Sequence, residues 1–303
     1  TRTVGVYMIP LGDSRYEARF VESFDRRGPW LQRLKGEIRA GQFRFMDDIS
    51  FDGGRVVGAA ENGVILNAAL WLGKLGNDGV SGTVAGRHKG SFQLKQSGRI
   101  SPELGKPAVR GAVVLFNGTS LSQWQHCEAG KEVKWKVLPE GVMEVNGGNI
   151  VSREVFGDHR LHLEFKLPYM PAAFGQGRAN SGVYLQGRYE VQVLDSYGLE
   201  GADNECGGIY QVARPRVNMC APPLQWQSYD IEFRQAKLDG DGRKAANARI
   251  TVNHNGVMIH DNIELPNVTG GALTDKEGRP GGLMLQDHGN PVQFRNIWVQ
   301  RLD

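Results

Sequence analysis

The feature that most restricts this chain is a repeated alternation of apolar and polar side chains. In HRLHLEFKLP, Leu161, Leu163, Phe165 and Leu167 alternate with Arg160, His162, Glu164 and Lys166. GRYEVQVLDS repeats the pattern with Tyr189, Val191 and Val193, and YDIEFR with Tyr229, Ile231 and Phe233. A period of two fits a strand with one buried face; a buried helix face needs a period near 3.6. Helical periodicity is nearly absent. ITVNHNGVMIHD reads as a hairpin with Asn255-Gly256 at the two centres that a type I′ turn demands. Turn signals recurring every ~8–12 residues predict an all-β antiparallel sandwich.

The length of 303 residues allows two domains with a real core. The boundary is expected in SGRISPELGKPAVRGAVVLFNG, where Ser101-Pro102 and Lys106-Pro107 interrupt the pattern and apolar residues resume at Val113. Residues 1–110 then form a small β-rich domain, with one helical turn expected near Trp30–Lys35, and residues 111–303 form the sandwich. Asp47, Asp48 and Asp52 read as turn acids. The first 110 residues hold 17 Lys/Arg against 11 Asp/Glu, and the remainder 19 against 22. The basic residues are dispersed and lack aromatic interleaving, which argues against nucleic acid as a partner. No run of ~18 apolar residues is present to span a membrane, and no signal-peptide pattern opens the chain. Cys127, Cys206 and Cys220 form no CxxC motif. Cys206 and Cys220 either close a loop in an oxidising compartment or remain reduced thiols.

Chemistry is carried by the polar strand faces. Glu190 and Gln192 share one face ~7 Å apart, and Asp195 rejoins it through a bulge or the strand's end. Glu164 and His162 occupy the polar face of another strand. Glu-x-Gln-x-x-Asp resembles the Glu-x-Asp-x-x-Glu of jelly-roll endoglucanases, with an amide replacing the middle acid. Asn180 precedes Gly182, where backbone and ligand can come close. Tyr210 follows two glycines, and Trp124, Trp135 and Trp226 can either stack on sugars or fill a core. In LQDHGNPV, Gly289, Asn290 and Pro291 read as the turn of a hairpin joining LMLQ to VQFRNIWV, aiming Gln286 and Arg295 at one face.

LFNGTSLSQW, NSGVYLQGRYEVQVLD, CGGIYQ, PPLQWQSYDIEF, HNGVMIHDN and LQDHGNPVQFRNIWV occur in this order. Together they resemble the DUF1080 family of 3-keto-disaccharide hydrolase domains over about residues 111–303. The resemblance implies a concanavalin A-like jelly roll with a carbohydrate site, acting on glycosides already oxidised at C3. It also implies, by analogy, a periplasmic or secreted location. PPLQW departs from a frequent Pro-Gly-Glu-Trp, because Leu224-Gln225 stand where Gly-Glu is common.

A 3-keto group acidifies the C2 proton, so cleavage can run by proton abstraction and expulsion of the C1 oxygen. That chemistry needs a base, an electrophile near the enolate oxygen and an acid for the leaving group. Glu190 is the candidate base, with Glu164 or Asp195 as the second acid/base group. Asn180, Gln192, Tyr210, Gln286 and Arg295 are candidates to bind hydroxyls or the keto oxygen. His288 either donates to the enolate or joins Glu164 and Asp195 in holding a divalent metal ion, the one cofactor considered. A conventional jelly-roll glycoside hydrolase and a non-catalytic lectin-like module remain open alternatives.

Overall fold

The computed structural model describes residues 4–24, 31–47, 60–61, 64–65, 69–86, 89–98 and 100–302. The chain divides into two compact units, Thr1–Gly98 and Arg99–Asp303.

The first unit is a seven-stranded antiparallel meander of Gly5–Gly12, Arg15–Val21, Gln32–Arg39, Gln42–Asp47, Leu70–Gly76, Gly79–Ala85 and Gly90–Lys95. Ala18, Phe20, Leu34, Phe43 and Phe45 form its core. Among the described residues, strand replaces the helical turn expected near Trp30–Lys35. Residues 32–35 lie in a central strand, and buried Leu34 pairs with Ala18 on one side and Asp47 on the other. Two flanking strands give that segment backbone partners that one isolated helical turn lacks. Asp47 ends a strand; Trp30, Asp48 and Asp52 fall outside the described residues.

The second unit is a sandwich of two antiparallel sheets, as the alternation predicts. One sheet runs Lys136–Leu138, Val142–Glu144, Gln293–Arg301, His159–Lys166, Trp226–Arg234, Ala248–His254 and Val257–Leu265, with Val113–Phe116 also pairing Gln293–Arg301. The other runs Trp124–His126, Ile150–Phe156, Gly281–Leu285, Ser181–Leu185 and Tyr189–Val193. Leu161, Leu163, Phe165, Ile231 and Phe233 from the first meet Val183, Leu185, Val191, Val193 and Leu285 from the second in one core. Burying those side chains inward turns their sequence neighbours outward. His162 and Glu164 therefore emerge on the outer face of the larger sheet, and Tyr184, Glu190 and Gln192 on that of the smaller one.

Asn255 and Gly256 have φ of 52° and 78°, and His254 pairs with Val257, so the two-residue hairpin is present as read. LQDHGNPV behaves differently. Gly281–Leu285 belongs to the smaller sheet and Gln293–Arg301 to the larger, so residues 286–292 cross between sheets and make no hairpin. The polar residues hold this crossing. Asp287 accepts from the Gly148 and Gly289 amides, and its own amide donates to Asn149.

The proline-rich segment after residue 100 lies against the outer face of the larger sheet. The Gly105 amide donates to Glu164 Oε1 at 2.6 Å, the Ser101 and Ser228 hydroxyls meet at 2.7 Å, and Asn296 Nδ2 donates to the Lys106 carbonyl at 3.0 Å. Leu224, where the related pattern has glycine, sits exposed at φ 68°, in the left-handed region that glycine adopts without strain. Leu224-Gln225 lead into the Trp226–Arg234 strand of the larger sheet, away from the pocket described next.

Candidate active site

The outer face of the smaller sheet carries a pocket of about 350 Å³. Gln176, Asn180, Tyr184, Glu190, Gln192, Tyr210, Gln211, Gly270, Gly271, Gln286 and His288 line it. Its floor is the hairpin of Ser181–Leu185 and Tyr189–Val193, in which Tyr184 stands directly opposite Glu190 and Gly182 opposite Gln192. Two loops wall it. The loop of residues 207–210 runs along the edge strand, with the Gln192 amide donating to Gly208 O, Gly207 to Gln192 O and Tyr210 to Glu190 O. From the other side, Thr269 Oγ1 accepts the Glu190 amide at 2.9 Å, which brings Gly270 and Gly271 over the floor.

Glu190 is 2 % exposed. Tyr184 Oη donates to its Oε2 at 2.8 Å. The Gln192 amide is satisfied when its nitrogen faces Glu190 Oε1 at 3.0 Å and Ser181 O at 2.8 Å. Burial raises the Glu190 carboxyl to about 7, against the opposing effect of the Tyr184 bond. The absent side chain of Gly182 makes room for this group, since a Cβ there would stand 2.2 Å from Glu190 Oε1. The glycine thus admits the chain's own carboxyl, where the sequence suggested close approach of a ligand. Asn180 is held from both ends. Its amide donates to Asn290 Oδ1 at 2.7 Å and its Nδ2 to Gln176 O at 2.8 Å, while Asn180 Oδ1 is buried without a protein partner.

Six residues singled out from the sequence, Asn180, Gln192, Glu190, Tyr210, Gln286 and His288, meet in this pocket. Three do not. Glu164 and Arg295 lie on the larger sheet, paired to each other at 2.7 Å. The cause is the crossing of residues 286–292, which separates Arg295 from Gln286. Burial would raise the Glu164 carboxyl, but bonds from His162, Asn296, the Gly105 amide and Arg295 outweigh it and hold the group at about 2. Asp195 follows the Tyr189–Val193 strand and is buried against Arg178, with Nε 2.6 Å from Oδ2. No bulge returns it to the Glu190 face.

His288, Glu164 and Asp195 accordingly do not converge on a metal. Among the described residues no group of three or more His, Cys, Asp or Glu is placed to hold one. Trp124 and Trp135 belong to the core, and Trp226 lies on the larger sheet beneath the Arg295 guanidinium, 4.1 Å from its ring centre. The three cysteines are free thiols.

Gln176, Tyr184, Gln211, Gly270 and Gly271 were not singled out from the sequence. Tyr184 had a signal. Reading Gln186-Gly187-Arg188 as a tight turn sets Tyr184 opposite Glu190 by counting back from the loop. Gly270 and Gly271 arrive from ~80 residues further along the chain, a long-range approach with no local pattern.

Comparison with known families matches residues 111–300 to the 3-keto-alpha-glucoside-1,2-lyase-like domain. The chain belongs to this family. A protein of known structure from Parabacteroides distasonis ATCC 8503, provisionally described as a glycosyl hydrolase, is 35 % identical, with a TM-score of 0.58 over 64 % of this chain and 84 % of that one. A second from the same organism with the same description is 20 % identical, with a TM-score of 0.48 over 64 % and 95 %. No curated protein matches. The family match coincides with the sandwich unit, and every residue lining the pocket falls inside it. The chain is therefore a carbohydrate-active jelly-roll protein of this family.

Proposed function

We propose that the chain cleaves the glycosidic bond of 3-keto-glucosides by proton abstraction at C2, with Glu190 as the base. The observation that carries this reading is that Glu190 is the one carboxylate among the described residues lining the pocket. Retaining hydrolysis needs two carboxyls about 5–5.5 Å apart, and inverting hydrolysis needs two with space for water between them. Glu164 and Asp195 supply neither, because each is committed to an arginine outside the pocket. Abstraction of an acidified proton needs one base with a pKa near working pH, which buried Glu190 provides.

The electron flow is simple. Glu190 takes the C2 proton, and the C2–H pair becomes the enolate conjugated with the C3 oxygen. That enolate collapses to a C1–C2 double bond as the C1–O bond breaks, and the leaving oxygen takes a proton. Water adding across the double bond completes a net hydrolysis. Tyr210 and the exposed His288, both lining the pocket, are the groups suited to donate to the C3 oxygen and the leaving oxygen. Asn180, Gln176 and Gln192 bring amides for ring hydroxyls. No Lys or Arg lines the pocket among the described residues, consistent with a neutral sugar.

A lectin-like role finds less support, because burying a titrating carboxyl is costly and neutral sugars are bound well by amides and aromatics alone. The test is product analysis on matched 3-keto and unoxidised glucosides with wild type and Glu190→Gln. The expected outcome is release of aglycone from the keto substrate alone, with at least ~10³-fold loss in the variant. Unimpaired turnover by Glu190→Gln, or equal cleavage of the unoxidised glucoside, rejects the reading.

A further inference from the structure

We propose that Tyr184 is a positioning residue whose hydroxyl turns between the Glu190 carboxylate and the Gly270 carbonyl as Glu190 loses or gains its proton. The proposal rests on the reading of Glu190 as the base. Tyr184 Oη lies 2.8 Å from Glu190 Oε2 and 2.9 Å from the Gly270 oxygen, and it accepts from Gln286 Nε2 at 3.3 Å. One hydroxyl has one proton, so it donates to only one of the two oxygens at a time.

With Glu190 ionised, the bond to the charged oxygen is the stronger and takes the proton. With Glu190 protonated, its carboxyl O–H donates to Oη, and the phenol proton passes to the Gly270 carbonyl. Both states keep a continuous chain of bonds, and they differ only by rotation about Cζ–Oη. A base that must hold a proton during the reaction and then release it is supported in either form. The chain needs a phenol that itself stays protonated. Burial, reinforced by the neighbouring Glu190 charge, raises the Tyr184 hydroxyl far above its ordinary range.

The surroundings protect this arrangement. Gly271 has φ of 78°, and a Cβ there would stand 2.6 Å from Tyr184 Oη. Tyr210 and His288 are the other titratable groups lining the pocket. On the Glu190 strand face, Arg188 is turned to Gln186 and the Arg279 carbonyl, and Gln192 is neutral. Beyond the strand's end, Arg178 and Asp195 neutralise each other. Thr269, from the covering loop, bonds two backbone groups, the Glu190 amide and the Arg188 carbonyl. Tyr184 is thus the titratable group that bonds the Glu190 carboxyl.

The test reads both ends of the chain by NMR, with 13C at glutamate carboxyls and glycine carbonyls; Glu190→Gln assigns the Glu190 signal. In the wild type the Gly270 carbonyl is expected to titrate with the same midpoint as Glu190. In Tyr184→Phe the Gly270 signal should stop titrating. The Glu190 midpoint should rise by about one pH unit, because the ionised form loses a stronger bond than the neutral form. The acid limb of kcat/KM on a 3-keto-glucoside should move by the same amount, whatever the height of the high-pH plateau. A uniform fall at all pH values points to a merely structural role and rejects the proposal. If Tyr184→Phe does not fold, the wild-type spectrum still decides, since a Gly270 carbonyl that stays constant while Glu190 titrates overturns the switch. Shared titration without turnover of any 3-keto-glucoside supports the switch and rejects the base role, so the two readings fail separately.

Discussion

At the scale of single residues, the pocket is organised by what surrounds one carboxyl. Gly182 is a sharp example, because its missing Cβ is where Glu190 Oε1 sits. Gly182→Ala should leave the sandwich folded and lower kcat/KM at least ~100-fold, since displacing a reacting group by about 1 Å is that costly. Circular dichroism with steady-state kinetics checks it; full activity would show that Glu190 need not lie over Gly182. Glu190 also has a consequence for stability. Its folded pKa of about 7 lies above the ordinary value of 4.5, so the native state binds more protons than the unfolded chain between these limits. Stability is fully retained below the lower value and falls as pH rises through the upper one, by up to about 3 kcal/mol. Glu190→Gln should therefore be more stable than wild type at pH 8 and equal to it near pH 4.5. Urea denaturation at the two pH values measures this; a variant less stable at pH 8 would contradict the burial cost.

At the scale of strands and loops, alternation told which side chains share a face and left open which sheet each strand joins. Leu161, Leu163 and Phe165 mark a half-buried strand by themselves, as do Tyr189, Val191 and Val193. Nothing within either segment distinguishes the two outer faces, so Glu164 and Glu190 looked like members of one site and lie on opposite sides of the sandwich. The crossing at residues 286–292 was hidden for a related reason. Gly289, Asn290 and Pro291 are turn residues whether the chain returns to its neighbour or passes to the other sheet. The Glu164 network then has a structural assignment. Gly105, Asn296 and Arg295 all donate to its carboxylate. Glu164→Gln should cost about 2–4 kcal/mol, because buried charged partners are left incompletely paired. It should leave kcat within about twofold. Loss of turnover at unchanged stability would return Glu164 to the active site.

At the scale of the whole molecule, the family match, the pocket and the Glu190 carboxylate lining it all belong to the sandwich unit. Its two sheets share one core, and only the smaller one presents Glu190 with Tyr184 and the two glycine-bearing loops. The central claim is that this face breaks a glycosidic bond by removing a proton from C2. A 3-keto-glucoside carrying deuterium at C2, turned over in ordinary water, tests it most directly. The account predicts a primary isotope effect above about 2 on kcat/KM if abstraction limits the rate, product whose C2 hydrogen comes from solvent, and loss of both turnover and exchange in Glu190→Gln. Product that keeps its C2 deuterium through cleavage would contradict it.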